Sequence, residues 1–117
     1  MKKILVVDDS LFMRKMLSGI LSSKYEVSEA DSGAKILEKF KKEKPDLVLL
    51  DVVMPGIDGV SALRLLIKNN PNIKILMVTA VGQDTIIEEC KKLGAKDYIV
   101  KPFNEKVIIS MVERYLN

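Results

Sequence analysis

Two hydrophobic periodicities alternate along the whole chain, and this alternation constrains the fold more than any other feature. Ile4-Leu5-Val6-Val7, Leu47-Val48-Leu49-Leu50 and the segment Ile73 to Thr79 are short, nearly continuous apolar runs. Such runs suit strands buried on both faces. Tyr25 to Ala30 and Lys96 to Lys101, the latter centred on Tyr98-Ile99-Val100, read as two further strands. Between the strands, apolar residues recur at helical spacing: Met13, Met16, Leu17, Ile20 and Leu21; Ile36, Leu37 and Phe40; Val60, Leu63, Leu66 and Ile67; Ile86, Ile87, Cys90 and Leu93; Val107, Ile108, Met111, Val112 and Tyr115. Each set is one face of an amphipathic helix. Ser10 or Asp9 is a candidate cap for the first helix. Asp31-Ser32-Gly33 reads as a turn before the second helix, and Pro45 as its stop. Met54-Pro55-Gly56-Ile57-Asp58-Gly59 reads as a loop, and Gly94 as the residue just past the fourth helix.

The order is strand then helix, five times over. Buried strands separated by amphipathic helices predict an α/β fold, a (βα)5 doubly wound parallel sheet with helices on both faces. Right-handed crossovers leave few other topologies. The length, 117 residues, suits a single domain over residues 1–117. In sheets of this kind the ligand lies beyond the carboxyl ends of the strands.

Composition narrows the chemistry. There is no His, which removes His-based triads, metal sites and general bases. The one cysteine, Cys90, cannot form an internal disulfide, which suits a reducing cytoplasm, and its place on an apolar helix face suits a small buried hydrophobe. The net charge of +3 comes from lysines interleaved with glutamates, as in Glu38 to Lys44, a pattern typical of solvated helix faces. Without Trp there is little for nucleic-acid bases to stack on. Ile4 to Val7 is too short an apolar run for a signal or a membrane span.

The polar residues that close the strands carry the functional signal. The first strand ends in Asp8-Asp9, the third in Asp51, the fourth in Thr79-Ala80 and the fifth in Lys101-Pro102. Three carboxylates gathered at one sheet edge repel one another, and a divalent cation relieves that repulsion. All-oxygen ligands favour Mg²⁺ or Mn²⁺ over Zn²⁺. A carboxylate can act as nucleophile and form an aspartyl phosphate, and a cation with a lysine ammonium stabilises the phosphoryl group in flight. Each residue also has a plain structural reading: Asp9 as a helix cap, Asp51 as a turn residue, Thr79 as an ordinary strand residue, Lys101 as a solvated strand end and Tyr98 as core. It is their coincidence at four strand ends that argues for chemistry.

These segments resemble the bacterial two-component response-regulator receiver domain, of the single-domain chemotaxis (CheY-like) type. Ile4-Leu5-Val6-Val7-Asp8-Asp9-Ser10 resembles that family's first strand and acidic pair. Asp51-Val52-Val53-Met54-Pro55-Gly56-Ile57-Asp58-Gly59 resembles its phosphoacceptor and following loop. Val78-Thr79-Ala80 resembles its switch hydroxyl segment. Gly94 to Phe103 resembles its fifth strand and lysine. The resemblance implies a flavodoxin-like sheet of strand order 2-1-3-4-5. It also implies that Asp51 is the phosphoacceptor, and that Asp8, Asp9, Asp51 and the backbone carbonyl of Val53 hold Mg²⁺. Lys101 pairs with the phosphoryl oxygens, Thr79 moves toward them, and Tyr98 swings inward behind Thr79. A cis Lys101–Pro102 bond is implied as well.

The implied partners are a histidine kinase or histidine phosphotransfer protein and a downstream target bound at the fourth helix, fifth strand and fifth helix. The chain is then a cytoplasmic, monomeric switch, without direct nucleic-acid or membrane binding. It is not an enzyme beyond catalysing its own phosphorylation and dephosphorylation, and a role in chemotaxis-type signalling is expected. A phosphorelay intermediate, and a receiver belonging to a larger DNA-binding regulator, are the alternatives. A haloacid-dehalogenase-like phosphatase fits less well, because Asp8-Asp9-Ser10 lacks the second Asp of a D-x-D pattern. A flavin binder needs a phosphate loop where Asp8 and Asp9 stand. One expectation concerns phosphoryl lifetime. Val53 and Val81, two residues after Asp51 and Thr79, cannot orient an attacking water, so a long-lived phosphoryl state is expected.

Overall fold

The computed structural model describes residues 1–32, 35–53 and 58–117; Gly33 and the part of the expected loop over Met54 to Ile57 lie outside them. Ten elements alternate: β1 (Lys3–Val7), α1 (Leu11–Leu21), β2 (Glu26–Ala30), α2 (Ile36–Glu43), β3 (Leu47–Asp51), α3 (Gly59–Asn69), β4 (Lys74–Ala80), α4 (Asp84–Leu93), β5 (Asp97–Lys101) and α5 (Glu105–Leu116). Every strand pair is parallel, and the sheet order is β2-β1-β3-β4-β5. The expected (βα)5 fold is the observed one.

Side chains alternate across each strand, and this divides the core in two. Leu5, Val7, Val48, Leu50, Ile75 and Met77 face α2, α3 and α4, where Ile36, Phe40, Leu63, Leu66, Ile87 and Cys90 meet them. Ile4, Val6, Leu47, Leu49, Leu76, Val78 and Ile99 face α1 and α5, against Leu17, Leu21, Ile108, Val112 and Leu116. Cys90 is fully buried, and burial pushes its thiol up.

The local signals resolve as hydrogen bonds. Ser10, rather than Asp9, caps α1 by accepting from the Met13 amide at 3.2 Å. Asp58 and Asn104 cap α3 and α5 in the same way. Gly94 follows α4 with φ of 120°, a left-handed position that suits glycine. Boundaries of β2, β4 and β5 move by one residue. The Tyr25 amide bonds the Leu21 carbonyl behind α1, so β2 starts at Glu26. β4 runs Lys74–Ala80 and β5 starts at Asp97. Gly59, read as loop, is the first residue of α3. The Lys101–Pro102 bond is cis. Among the described residues no helix is long and apolar enough to cross a membrane.

Candidate functional site

β1 and β3 are neighbours in the sheet, so the residues that close them, Asp8 and Asp51, meet at its carboxyl edge. The alternation rule fixes which way the strand ends face. Asp51 continues the series Leu47, Leu49, and Lys101 continues from Ile99; both series point to the α1/α5 side. Lys101 accordingly reaches over the acids, its Nζ 3.7 Å from Asp8 Oδ2 and 3.7 Å from Asp51 Oδ1. Asp9 is exposed, and one oxygen from each of Asp8, Asp9 and Asp51 lies within 4.8 Å of the others.

The electrostatics of this cluster are short of positive charge. Asp51 is only 6% exposed, and its carboxyl is pushed up from 3.8 to about 6. Burial is the main cause, followed by the Asp8 charge, with Asp9 adding to it; Lys101 and the Val53 amide pull the other way. Asp8 Oδ1 accepts from the Ser10 amide at 2.9 Å, but Asp8 Oδ2 is buried with no hydrogen-bond partner among the described residues. A buried, unsatisfied carboxylate oxygen is costly. One lysine, beside two of the three acids, does not remove that cost. The donor set, all carboxylate oxygen with one atom left open, fits a hard divalent cation.

Thr79 and Tyr98 lie on the other side of the same edge. Thr79 is one residue beyond Val78, the register partner of Asp51. It is buried, and its hydroxyl donates to the Ala80 carbonyl at 3.3 Å. Tyr98 is half-buried against the α2/α3/α4 core, and with Thr79 it lines a cavity of about 300 Å³ beside Val81, Ile87 and Val100. The Lys91 ammonium stands 4.9 Å from the centre of its ring. Val53 and Val81 are 63% and 77% exposed, and the Val53 amide donates to Asp51 Oδ1 at 3.3 Å.

Two residues that shape the site were not visible as such in the sequence. Gly59 opens α3 directly beneath the end of β3: its amide bonds the Val52 carbonyl at 2.8 Å. A Cβ there would lie 2.6 Å from Val52 Cα and against the Asp51 carbonyl. Arg14, on α1, bonds the Asp8 main-chain carbonyl at 2.7 Å. A glycine in a Pro/Gly segment and an arginine in an amphipathic helix carry no local mark of either role.

With the site in view, its relatives can be placed. Residues 4–113 match the response regulator receiver domain. The chain is 42% identical over 115 residues to the chemotaxis protein CheY of Thermotoga maritima, covering 97% of this chain and 96% of that protein. It is 38% identical over 116 residues to the sporulation initiation phosphotransferase F of Bacillus subtilis, covering 98% and 94%. The solved structure of the Vibrio cholerae chemotaxis protein CheY4 superposes with a TM-score of 0.93 at 34% identity, covering 99% of each chain. The chain belongs to the response regulator receiver domain family, the signalling switches of which phosphoacceptor response regulators are built.

Proposed function

We propose that residues 1–117 form one receiver domain whose switch is thrown by phosphorylation of Asp51. The observation that carries this reading is the nearly buried Asp51 carboxylate flanked by a second buried carboxylate and one lysine ammonium. The donor is a phosphohistidine on a kinase or phosphotransfer protein. An Asp51 oxygen attacks the phosphorus, the P–N bond breaks, and the ring nitrogen keeps its electron pair. Asp8, Asp9, Asp51 and the Val53 carbonyl would hold Mg²⁺, with Mn²⁺ able to replace it. When bound, the cation supplies neutralisation of the phosphoryl oxygens. Lys101 turns from its acidic neighbours to the phosphoryl group. Thr79 moves to donate to it, and Tyr98 follows into the cavity they share. The face made by α4, β5 and α5 then presents a changed surface to a target protein, as a shift between two populated states.

Intact mass after incubation with acetyl phosphate, with and without Mg²⁺, tests this. One phosphoryl adduct that needs Mg²⁺ and vanishes in Asp51→Asn is expected. No adduct on folded wild-type protein would sink the reading. The name of the B. subtilis relative, a phosphotransferase, favours a second outcome: the group passes on to a histidine protein and not into a binding event. Transfer of label from the phosphorylated chain to a histidine phosphotransfer protein separates the two.

A further inference from the structure

The bonds around Asp8 single out Arg14. Its side chain is only 12% exposed although α1 borders solvent. Nη1 donates to the Asp8 carbonyl at 2.7 Å, and Nε donates to Glu29 Oε1 on β2 at 3.2 Å. Glu29 is anchored in turn by the Ser18 hydroxyl and the Lys15 ammonium, each at 3.0 Å. Burial alone would raise the Glu29 carboxyl, but the bonds from Lys15, Ser18 and Arg14 outweigh it and hold it below its ordinary range.

The carbonyl that Arg14 grips belongs to the peptide joining the two acidic residues of β1's end. The Asp8 amide is tied to the Ala30 carbonyl at 3.2 Å, and Asp8 Oδ1 to the Ser10 amide at 2.9 Å. Those bonds hold Asp8 itself; the Arg14 bond, to the oxygen of the Asp8–Asp9 peptide, opposes rotation of that plane. Turning it would carry the exposed Asp9 side chain away from Asp8 and Asp51. A guanidinium needed only to tether α1 to β2 would be satisfied by Glu29; the 2.7 Å bond to a main-chain oxygen is what a tether does not require.

We infer that Arg14 is a positioning residue for the cation site: it locks the Asp8–Asp9 peptide so that both carboxylates face Asp51. This rests on the acidic cluster being a cation site. Partners that orient metal ligands typically change affinity 10- to 100-fold when removed. Arg14→Ala is therefore expected to weaken Mn²⁺ binding about tenfold. Arg14→Lys, whose single ammonium cannot span both the carbonyl and Glu29 in the same geometry, should fall between it and wild type.

The test is Mn²⁺ titrated into unphosphorylated protein, with the free ion counted by electron paramagnetic resonance. Amide exchange in EDTA accompanies it. In Arg14→Ala the Ser10 amide should exchange faster while the Leu49 amide keeps its protection, since the change is local and not a general loosening. Folded Arg14→Ala that binds Mn²⁺ as wild type does would overturn the inference and leave the cation site standing. Wild type that takes up no Mn²⁺ would overturn both. If Arg14→Ala does not fold, Glu29→Gln decides: it keeps the guanidinium but slackens its anchor, so at least a twofold loss of affinity is expected, and unchanged affinity would overturn the role.

Discussion

The two sides of the sheet's carboxyl edge are built differently. On the α1/α5 side, the Lys101 ammonium stands 3.7 Å from both Asp8 and Asp51 and Arg14 holds the Asp8 carbonyl at 2.7 Å, while Gly59, from α3, packs on the backbone of Asp51 and Val52. On the α4 side, Thr79 has one 3.3 Å bond to its neighbour's carbonyl, and Tyr98 borders an open cavity under an exposed lysine. In the proposed function, the first side would hold the reacting groups in place, as phosphoryl transfer demands. The second leaves side chains room for a second arrangement, as a population shift demands. In the proposed function, chemistry and its readout share strand ends yet fall on opposite faces, because alternate residues of one strand point to opposite sides.

The strongest test of a fixed backbone beneath Asp51 is Gly59→Ala. The added methyl meets main-chain atoms of Asp51 and Val52 that cannot step aside. Overpacking of this kind costs up to roughly 3 kcal/mol, which should lower Tm by about 10 °C. Gly19→Ala is the internal control. Nothing lies within 4 Å of a Cβ there, so the same substitution in mid-helix should stabilise by about 0.5–1 kcal/mol. Thermal melts of the two should move in opposite directions. Equal shifts would mean the backbone under Asp51 yields.

The next effect is electrostatic. In metal-free buffer the Asp51 carboxyl titrates at about 6 in the fold against 3.8 unfolded. Below the lower value both states are protonated and there is no penalty. As pH rises between the two, the unfolded chain releases its proton first and stability falls; above the upper value the loss is complete. Asp51→Asn should therefore be more stable than wild type at pH 7 in EDTA, by on the order of 2 kcal/mol. The gain should shrink to nothing near pH 3. Urea unfolding at both pH values measures it, and a gain independent of pH would refute the electrostatic origin.

This unevenness also explains what the sequence disclosed. The fold was legible because the central strands are apolar on both faces, and no other architecture buries them. β2 was read less sharply: Glu26-Val27-Ser28-Glu29-Ala30 is a half-exposed edge, and Tyr25 belongs to the turn behind α1. Asp8, Asp9, Asp51 and Lys101 were legible because each closes a strand, and strand ends meet by topology. The cap ambiguity at Asp9 needed coordinates, since Ser10 next to it could serve equally. Arg14 and Gly59 were illegible for a deeper reason. One acts through a main-chain carbonyl, the other through the absence of a side chain, and neither leaves a pattern in residue types.

Val53 and Val81 follow Asp51 and Thr79 by two residues, and both are exposed. Neither can hold a water for attack on the acyl phosphate. Val81→Glu or Val53→Asn should speed loss of the adduct several-fold, equivalent to about 1 kcal/mol of barrier, with little change in the rate of its formation. The mass of the adduct followed over time gives both rates. Unchanged decay in both variants would remove these positions from the tuning of phosphoryl lifetime.

The smallest expected effect probes the loose side. An exposed ammonium over an aromatic face is worth about 0.5–1 kcal/mol. The 4.9 Å contact from Lys91 therefore holds the Tyr98 ring in its half-buried position by no more than that. Lys91→Ala should barely move Tm, yet it removes a contact that this ring position has and an inward position lacks. A bias of that size corresponds to a two- to fivefold change in population. The affinity for beryllofluoride, a phosphoryl mimic, should rise by that factor in the presence of Mg²⁺, and NMR couplings of the Tyr98 side chain should report a shifted rotamer. If the rotamer shifts while beryllofluoride affinity stays fixed, the ring moves freely of the site, and the comparison between a rigid acceptor and a coupled, mobile readout fails at Tyr98. If both shift together, Lys91 sets the resting position of the switch from outside the core, where an exposed substitution can retune it without disturbing the acceptor.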